Sequence, residues 1–255
     1  MSRTIITTCG TSLLQSSCWS YNGLNEKQLS EDELDRREHE EKCESTLMEA
    51  MDNKKESEVS KSFSWLDTDY LRDLPAELAS LRAIQIYFEE NEKPIGEGDK
   101  VILLHSDNKK GRFCAEILCT VLNNKDINLL PGVITKKKEV TGLDPQDRIM
   151  FGKALMRVWK KIILKPDNEL RNYIFNLTGG YKAVGILLGG IAYHIAKVPI
   201  FYLHEETGYD DITFMCFNKK GDMEKWFYAS NFNITKRRIE SEIDISDKIG
   251  TSDKF

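Results

Sequence analysis

The stretch that most constrains the fold is 171–197, which reads RNYIFNLTGGYKAVGILLGGIAYHIAK. Residues 173–177 have the composition of a buried strand, and the chain continues after Gly179 and Gly180 as an apolar helix. Two adjacent glycines at such a junction let the backbone turn sharply and leave the first helical N–H groups open to an anion. Lys182 lies in the first turn of this helix, where a cation opposes the helix dipole. That arrangement costs stability unless a phosphate or carboxylate binds there.

The rest of the chain alternates predicted strands with predicted helices. Strands are expected at 4–8, 100–106, 127–140 (broken at Pro131-Gly132), 199–204, 212–218 and 226–229, and helices at 68–91, 113–122 and 145–164. This order predicts an α/β, Rossmann-like fold with a mostly parallel sheet, helices on both faces and an antiparallel hairpin at one edge. The prediction is one domain, 1–230, followed by a polar C-terminal tail, 231–255.

A segment at 25–61 differs in composition from the rest of this domain, because it is dense in both charges and poor in large apolar residues. It predicts an exposed helical insertion with intrahelical ion pairs and a mobile tail around 52–60. The alternative is a flap that covers a site near Ser12.

Small polar residues follow several of the predicted strands. They are Gly10-Thr11-Ser12, Ser106-Asp107-Asn108, Gly142-Leu143-Asp144, and 176–182. The carboxyl ends of parallel strands meet at one edge of a sheet, so these loops are expected to converge on a pocket rich in hydroxyls and N–H groups.

The chain has neither GxGxxG nor GxxxxGK[ST], which disfavours a nicotinamide enzyme or an ATPase. Another nucleotide enzyme would need a ribose-binding carboxylate about twenty residues after the first glycine turn. Glu31, Asp32 and Glu33 fall there, but in the charged insertion.

Charge and cysteine usage exclude other classes. The net charge of -5 argues against binding to long nucleic acid, which needs a broad basic face. The six cysteines form no CxxC pair and have no metal-ligand spacing with the four histidines, so we expect reduced thiols, no metal site and no cofactor. The amino terminus runs straight into a strand, and the apolar stretch 183–196 is too short to span a bilayer. The expected location is cytoplasmic, with no membrane partner.

Two motifs carry a family resemblance. TTCGTSLL at 7–14 and NLTGGYKA at 176–183 resemble the signature motifs of the CARF family, the CRISPR-associated Rossmann fold. LLHSDNKKGRFCAEIL at 103–118 and VTGLDPQDRIMFGKALMRVWKKI at 140–162 fit the same family pattern, in the expected order.

The resemblance implies a homodimer whose strand tips surround a shared two-fold axis and bind cyclic oligoadenylate, most often the four- or six-membered ring made by type III CRISPR complexes. Only about fifty residues follow the last matched segment, with no RxxxxH ribonuclease motif. Two functions therefore stay open. The chain is either a ring nuclease, with cyclic tetra-adenylate as the expected ligand, or a non-catalytic sensor that acts through a partner or a missing effector domain.

A ring nuclease of this kind needs no metal, because a ribose 2′-OH of the ligand can attack the adjacent phosphate and leave linear adenylates with a 2′,3′-cyclic phosphate. The resemblance implies two catalytic residues, Lys182 to stabilise the phosphate and Ser12 to orient the ribose or phosphate. The implied ligand-binding residues are Gly10, Thr11, Ser106, Asn108, Asn176, Thr178, Gly179 and Gly180.

Several of these residues also have a structural interpretation. Lys182 could be an ordinary exposed lysine, Ser12 a helix cap, and Asn176 a residue that holds its own turn. We expect Asp107 to bond the backbone of the next helix. His105 is expected to be buried and hydrogen-bonded.

Overall fold

The computed structural model describes residues 2–15, 33–61, 74–90, 93–125, 127, 129–143, 146–163, 172–180, 182–195, 198–203, 212–217 and 223–229. The strands are β1 (Thr4–Thr8), β2 (Lys100–Ser106), β3 (Ile134–Val140), β4 (Tyr173–Asn176), β5 (Ile200–Leu203), β6 (Ile212–Phe217) and β7 (Met223–Ala229). The helices are α1 (Glu33–Asp52), α2 (Glu56–Lys61), α3 (Ala76–Glu90), α4 (Lys109–Leu122), α5 (Arg148–Ile163) and α6 (Lys182–Ile195), with a short 3-10 helix at Ser12–Gln15. None of these described helices combines the length and the apolar character needed to cross a membrane.

The strands form one sheet in the order β3-β2-β1-β4-β5-β6-β7. The strands β1 to β5 are parallel, whereas β6 pairs antiparallel with β5 and β7 antiparallel with β6. This confirms the predicted Rossmann-like sheet with an antiparallel hairpin at one edge. In register, Ile6 on β1 lies between Ile102 on β2 and Phe175 on β4.

Two hydrophobic clusters cover the two faces of the sheet. On one face Ile5, Leu103 and Phe201 share a cluster with residues of α3 and α4. On the other face Ile6 and Phe175 share a cluster with residues of α5 and α6. The alternation along each strand produces this division, because successive side chains of a strand point to opposite faces. The prediction of helices on both faces is therefore confirmed.

Several predicted boundaries were wrong. The segment 129–133 is not a strand, because β3 begins only at Ile134, after a turn in which Val133 N donates to Leu130 O at 3.2 Å. Helix α4 begins at Lys109, four residues before the predicted start at 113, because the carbonyl of the Asn108 side chain caps it by accepting from Gly111 N at 2.8 Å. Helix α5 begins at Arg148, after a turn at 146–147, instead of at 145, and the predicted end at 164 lies outside the described residues.

The predicted exposed insertion is partly wrong as well. Helices α1 and α2 occupy 33–61, and their apolar side chains Leu47, Ala50, Met51 and Val59 are buried in the first core cluster. The expected mobile tail around 52–60 instead includes α2, which packs against α4. The few apolar residues of this segment recur on one side, which suffices to bury a face even where charge dominates the composition. Residues 25–32 and the tail 231–255 lie outside the described residues.

Candidate functional site

The candidate site lies where β1 and β4 adjoin. After β1 the chain continues to β2 and β3 on one side of β1, and after β4 it continues to β5 on the other side. The direction in which strands are added to the sheet therefore reverses between β1 and β4. In open α/β sheets this switch point forms the crevice that binds ligands. Here the two loops touch, since a Cβ built on Gly10 would lie 2.9 Å from Gly180 N. The predicted convergence of the loops after β1 and β4 is confirmed.

Gly180 is required at this junction for two reasons. Its φ is +79°, in the left-handed region that L side chains rarely adopt. A Cβ built on it would also lie 2.5 Å from Thr8 Cβ. The Thr8 hydroxyl donates to Gly179 O, which ties the end of β1 directly to the glycine turn. The turn after β4 is thus held against β1 by the side chain of Thr8.

A buried carboxylate lies beneath both loops. Glu77, in the first turn of α3, is fully buried. Its Oε1 accepts from Gly10 N at 2.6 Å, and its Oε2 accepts from the Ser12 hydroxyl. A Cβ built on Gly179 would lie 2.7 Å from Glu77 Oε1, so the second glycine turn also contacts this carboxylate. Glu77 therefore organises the loop after β1 and abuts the loop after β4.

Ser12 links this carboxylate to the surface. It begins the 3-10 helix Ser12–Gln15 and is partly exposed, while Thr11 before it is exposed. Besides donating to Glu77, Ser12 Oγ accepts from Ala76 N at 3.2 Å, the first N–H of α3. Ser12 therefore caps a helix, but that helix is α3, which is distant in sequence. The same hydroxyl lies at the mouth of the crevice.

Lys182 is the first residue of α6 and is exposed. Within the described part of the chain its ammonium has no hydrogen-bond or ion-pair partner. Its positive charge adds to the positive end of the helix dipole directly after the glycine turn. A bound anion would offset both charges, which is the arrangement expected of a phosphate site.

The side chains of Asn176 and Thr178, two residues predicted to contact a ligand, are buried. Asn176 Nδ2 donates to Ser80 Oγ at 2.7 Å, and its Oδ1 accepts from Thr178 N at 3.2 Å. Thr178 Oγ1 accepts from Leu203 N at 2.9 Å. Both side chains therefore hold the end of β4 to α3 and β5, which agrees with the structural interpretation of Asn176.

The tip of β2 lies one strand away from the switch point, and its polar residues serve the fold. Ser106, which was predicted to bind ligand, is buried, and a Cβ built on Gly111 would lie 2.1 Å from its Oγ. Asn108, also predicted to bind ligand, is the cap of α4. Asp107 has a structural role, but the predicted bond to the next helix is wrong, because its Oδ2 accepts from Gly142 N at 2.9 Å in the turn after β3. Asp144 lies outside the described residues.

Two buried thiols and a buried histidine lie near the crevice. Burial raises the pKa of the Cys9 thiol well above its ordinary value, and the negative charge of Glu77 raises it further. The pKa of Cys114 on α4 is raised by the same two causes. His105 is buried, and its Nδ1–H donates to Ser106 O at 2.8 Å, as predicted. Among the described residues no group of three or more histidine, cysteine or acidic side chains is arranged to hold a metal ion.

Sequence reasoning missed Glu77. The available signal was local: Pro75-Ala76-Glu77 places a proline at a helix start and a carboxylate in its first turn. That pattern is normally satisfied by the helix's own N–H groups. Only the packing of α3 beneath β1 directs this carboxylate to Gly10 and Ser12.

Comparison with known proteins gives a match to a family model and matches to solved structures. Residues 72–210 match the family model Cas_APE2256, described as a CRISPR-associated protein. The structure of Can2 from Sulfobacillus thermosulfidooxidans in complex with cyclic tetra-adenylate (cA4) matches with 21% sequence identity and a TM-score of 0.33. The match covers 57% of this chain and 34% of that chain, so the described fold corresponds to about a third of that protein. No curated protein matches the chain.

Proposed function

Because the chain belongs to the Cas_APE2256 family of CRISPR-associated proteins, we propose that it binds cyclic oligoadenylate at the switch point and cleaves it without a metal. The expected ring is cyclic tetra-adenylate, and cleavage would switch off type III CRISPR signalling. The observation that carries the proposal is the direct contact between the loops Gly10-Thr11-Ser12 and Gly179-Gly180, with Lys182 exposed beside them. These two loops are also the segments that resemble the CARF signature motifs.

The chemistry follows from the groups at this point. A ribose 2′-OH of the ring attacks the adjacent phosphate in line, and the bond to the 5′-oxygen breaks. Lys182 offsets the negative charge that builds on the phosphate, and the N–H groups at the start of α6 hold its oxygens. Ser12 contacts the ribose at the mouth of the crevice. The products are linear adenylates that end in a 2′,3′-cyclic phosphate.

A second copy of the chain supplies the other half of the site in this proposal. Helices α5 and α6 pack side by side, and their outer surface exposes Ile149 at 72%, Met156 at 54% and Ile186 at 77%. A Cβ on Gly190, on the same side of α6 as Ile186, would meet nothing within 4 Å, so a second helix can approach closely. This surface begins at the first turn of α6, beside Lys182, so a homodimer formed here brings two crevices to one symmetric ring.

The alternative function is that of a sensor that binds the ring without cleaving it. Such a chain would act through a partner or through a further domain.

The test is incubation of the protein with radiolabelled cyclic tetra-adenylate in EDTA. We expect linear products, and replacement of Lys182 by alanine should lower the rate about 100- to 1,000-fold, the usual effect of removing one group that stabilises the developing charge. The matched control is Lys125→Ala, another exposed lysine, which follows the carboxyl end of α4 and so lies at the opposite edge of the sheet. Its rate should equal that of the wild type.

The outcomes separate the two functions. Binding with no linear product identifies the sensor, and failure to bind a ring of any size contradicts the ligand class itself. Equal losses in Lys182→Ala and Lys125→Ala would show that positive charge in general, and not its place at the crevice, governs the reaction.

A further inference from the structure

The pair formed by Glu77 and Ser12 has a chemical use beyond holding the loops. Glu77 is fully buried, yet its Oε2 is bonded to the hydroxyl of Ser12, a residue that reaches the surface. The other oxygen, Oε1, is fixed by Gly10 N at 2.6 Å. The carboxylate therefore cannot rotate away from Ser12 without losing a charge-assisted hydrogen bond.

The proposed cleavage needs a group that removes the proton of the attacking 2′-OH. General base catalysis contributes about 100- to 10,000-fold to such a step. Lys182 is a cation and serves the phosphate, and the Nδ1–H of the buried His105 is bonded to Ser106 O. Of the groups that the structure places at this crevice, the carboxylate of Glu77 has the chemistry of a proton acceptor, and it reaches the substrate through Ser12.

We propose that Ser12 relays the proton of the attacking 2′-OH to Glu77, an inference that rests on the proposed ring cleavage. As the bond between the 2′-oxygen and phosphorus forms, the 2′-OH proton passes to Ser12 Oγ and the Ser12 hydroxyl proton passes to Glu77 Oε2. The bond between phosphorus and the 5′-oxygen breaks, and that oxygen takes a proton from water or from Lys182, which then regains one from solvent. Glu77 then returns its proton to solvent through Ser12, so protons and charge balance over one turnover.

The hydrogen bonds of Ser12 leave room for this relay. A hydroxyl has one donor and two acceptor positions. In Ser12 the donor is directed at Glu77, and one acceptor position is used by Ala76 N. The second acceptor position suits the 2′-OH of a ribose at the mouth of the crevice. Ser12 is thus the residue that touches the substrate, and Glu77 is a positioning residue that acts through it.

Two buried thiols sense the charge of Glu77: that of Cys9, directly after β1, and that of Cys114 on α4. Their pKa values are raised by burial, so both stay neutral through the range in which a carboxylate titrates. Loss of activity on the acidic side would therefore not come from either thiol.

The experiment compares wild type with Glu77→Gln, which keeps the shape and can still accept from Gly10 N. The kcat for radiolabelled cyclic tetra-adenylate is measured against pH, together with the Kd of the ring. Wild-type kcat should rise with pH to a plateau, because protonated Glu77 cannot accept a proton. In Glu77→Gln we expect a loss of about 100-fold or more in kcat, no acidic limb, and an unchanged Kd. A Glu77→Gln profile that retains the acidic limb overturns the relay.

Two further measurements distinguish a relay from a structural role. The wild-type rate in mixtures of H2O and D2O should depend on the deuterium fraction along a curve, because two protons move in one step, and a straight line overturns the relay. Ser12→Ala combined with Glu77→Gln should lose no more than either alone, because residues that act as a unit are not additive. Losses that add contradict the relay. If wild type cleaves no ring, the proposed function fails together with the relay; if wild type cleaves with a straight-line dependence, only the relay fails.

Discussion

Replacement of Gly180 by alanine tests the geometry of the crevice most directly. Gly180 combines a φ of +79° with a position where a Cβ would lie 2.5 Å from Thr8 Cβ and 2.8 Å from Thr8 Oγ1. The first feature strains any L residue, and the second forces Thr8 or the glycine turn to move. Because Thr8 is the last residue of β1, the movement would separate the two loops of the site.

The two costs can be estimated separately. Placing a Cβ in the left-handed region costs roughly 1–2 kcal/mol. Forcing a methyl group into a packed contact costs typically about 1–3 kcal/mol. Gly180→Ala should therefore lower the free energy of unfolding by about 2–5 kcal/mol.

Gly98 provides the matched control. Its φ is +90°, but a Cβ built on it would meet nothing within 4 Å, so Gly98→Ala carries the backbone strain without the steric contact. Urea unfolding of both variants should show Gly180→Ala less stable than Gly98→Ala by about 1–3 kcal/mol, with unchanged m-values. Equal destabilisation of the two variants would mean that Gly180 is not packed against Thr8 and that the described contact between the loops is wrong.

Two further predictions concern stability. Leu47→Ala, in the charged helix α1, should cost about 2–5 kcal/mol in urea unfolding because Leu47 is fully buried, whereas the exposed Glu49→Ala should have almost no effect; equal effects would contradict the burial of α1. The raised pKa values of Cys9 and Cys114 predict that stability is complete below the ordinary thiol value of 9.0 and falls above it, because the unfolded chain then loses protons that the folded chain retains. Each thiol contributes up to about 1.4 kcal/mol per pH unit, so the urea midpoint of Cys114→Ala should fall less steeply with alkaline pH than that of wild type, and parallel curves would refute the assignment.

The sequence alone determined the sheet and the location of the crevice. The patterns that predict strands, such as the β-branched run of β1 and the apolar run of β4, are local properties of a few residues. A glycine pair between a strand and a helix is equally local, and parallel pairing then brings the tips of β1 and β4 together. These features could be predicted from the sequence because each depends on the backbone preference and the alternation of residues along one segment.

The tertiary structure alone decided which polar side chains face the crevice. Asn176 and Thr178 carry the chemistry of ligand contacts, yet burial commits them to Ser80 and Leu203. The charged composition of 33–61 concealed a few apolar residues that complete the core, Leu47 and Val59 among them. Burial depends on neighbours far away in the chain, which no local pattern contains.

Glu77 is a residue of the site whose role could not be predicted from the sequence. In the sequence it is an ordinary carboxylate in the first turn of a predicted helix, 67 residues from Gly10 and 65 from Ser12. Docking of α3 beneath β1 joins these residues at hydrogen-bond distance, and the contact with Gly179 completes the arrangement. The sequence therefore determined where we propose that an anion binds, because helix ends and glycine turns are local. The tertiary structure decided what chemistry is available there, because the buried carboxylate arrives from another part of the chain.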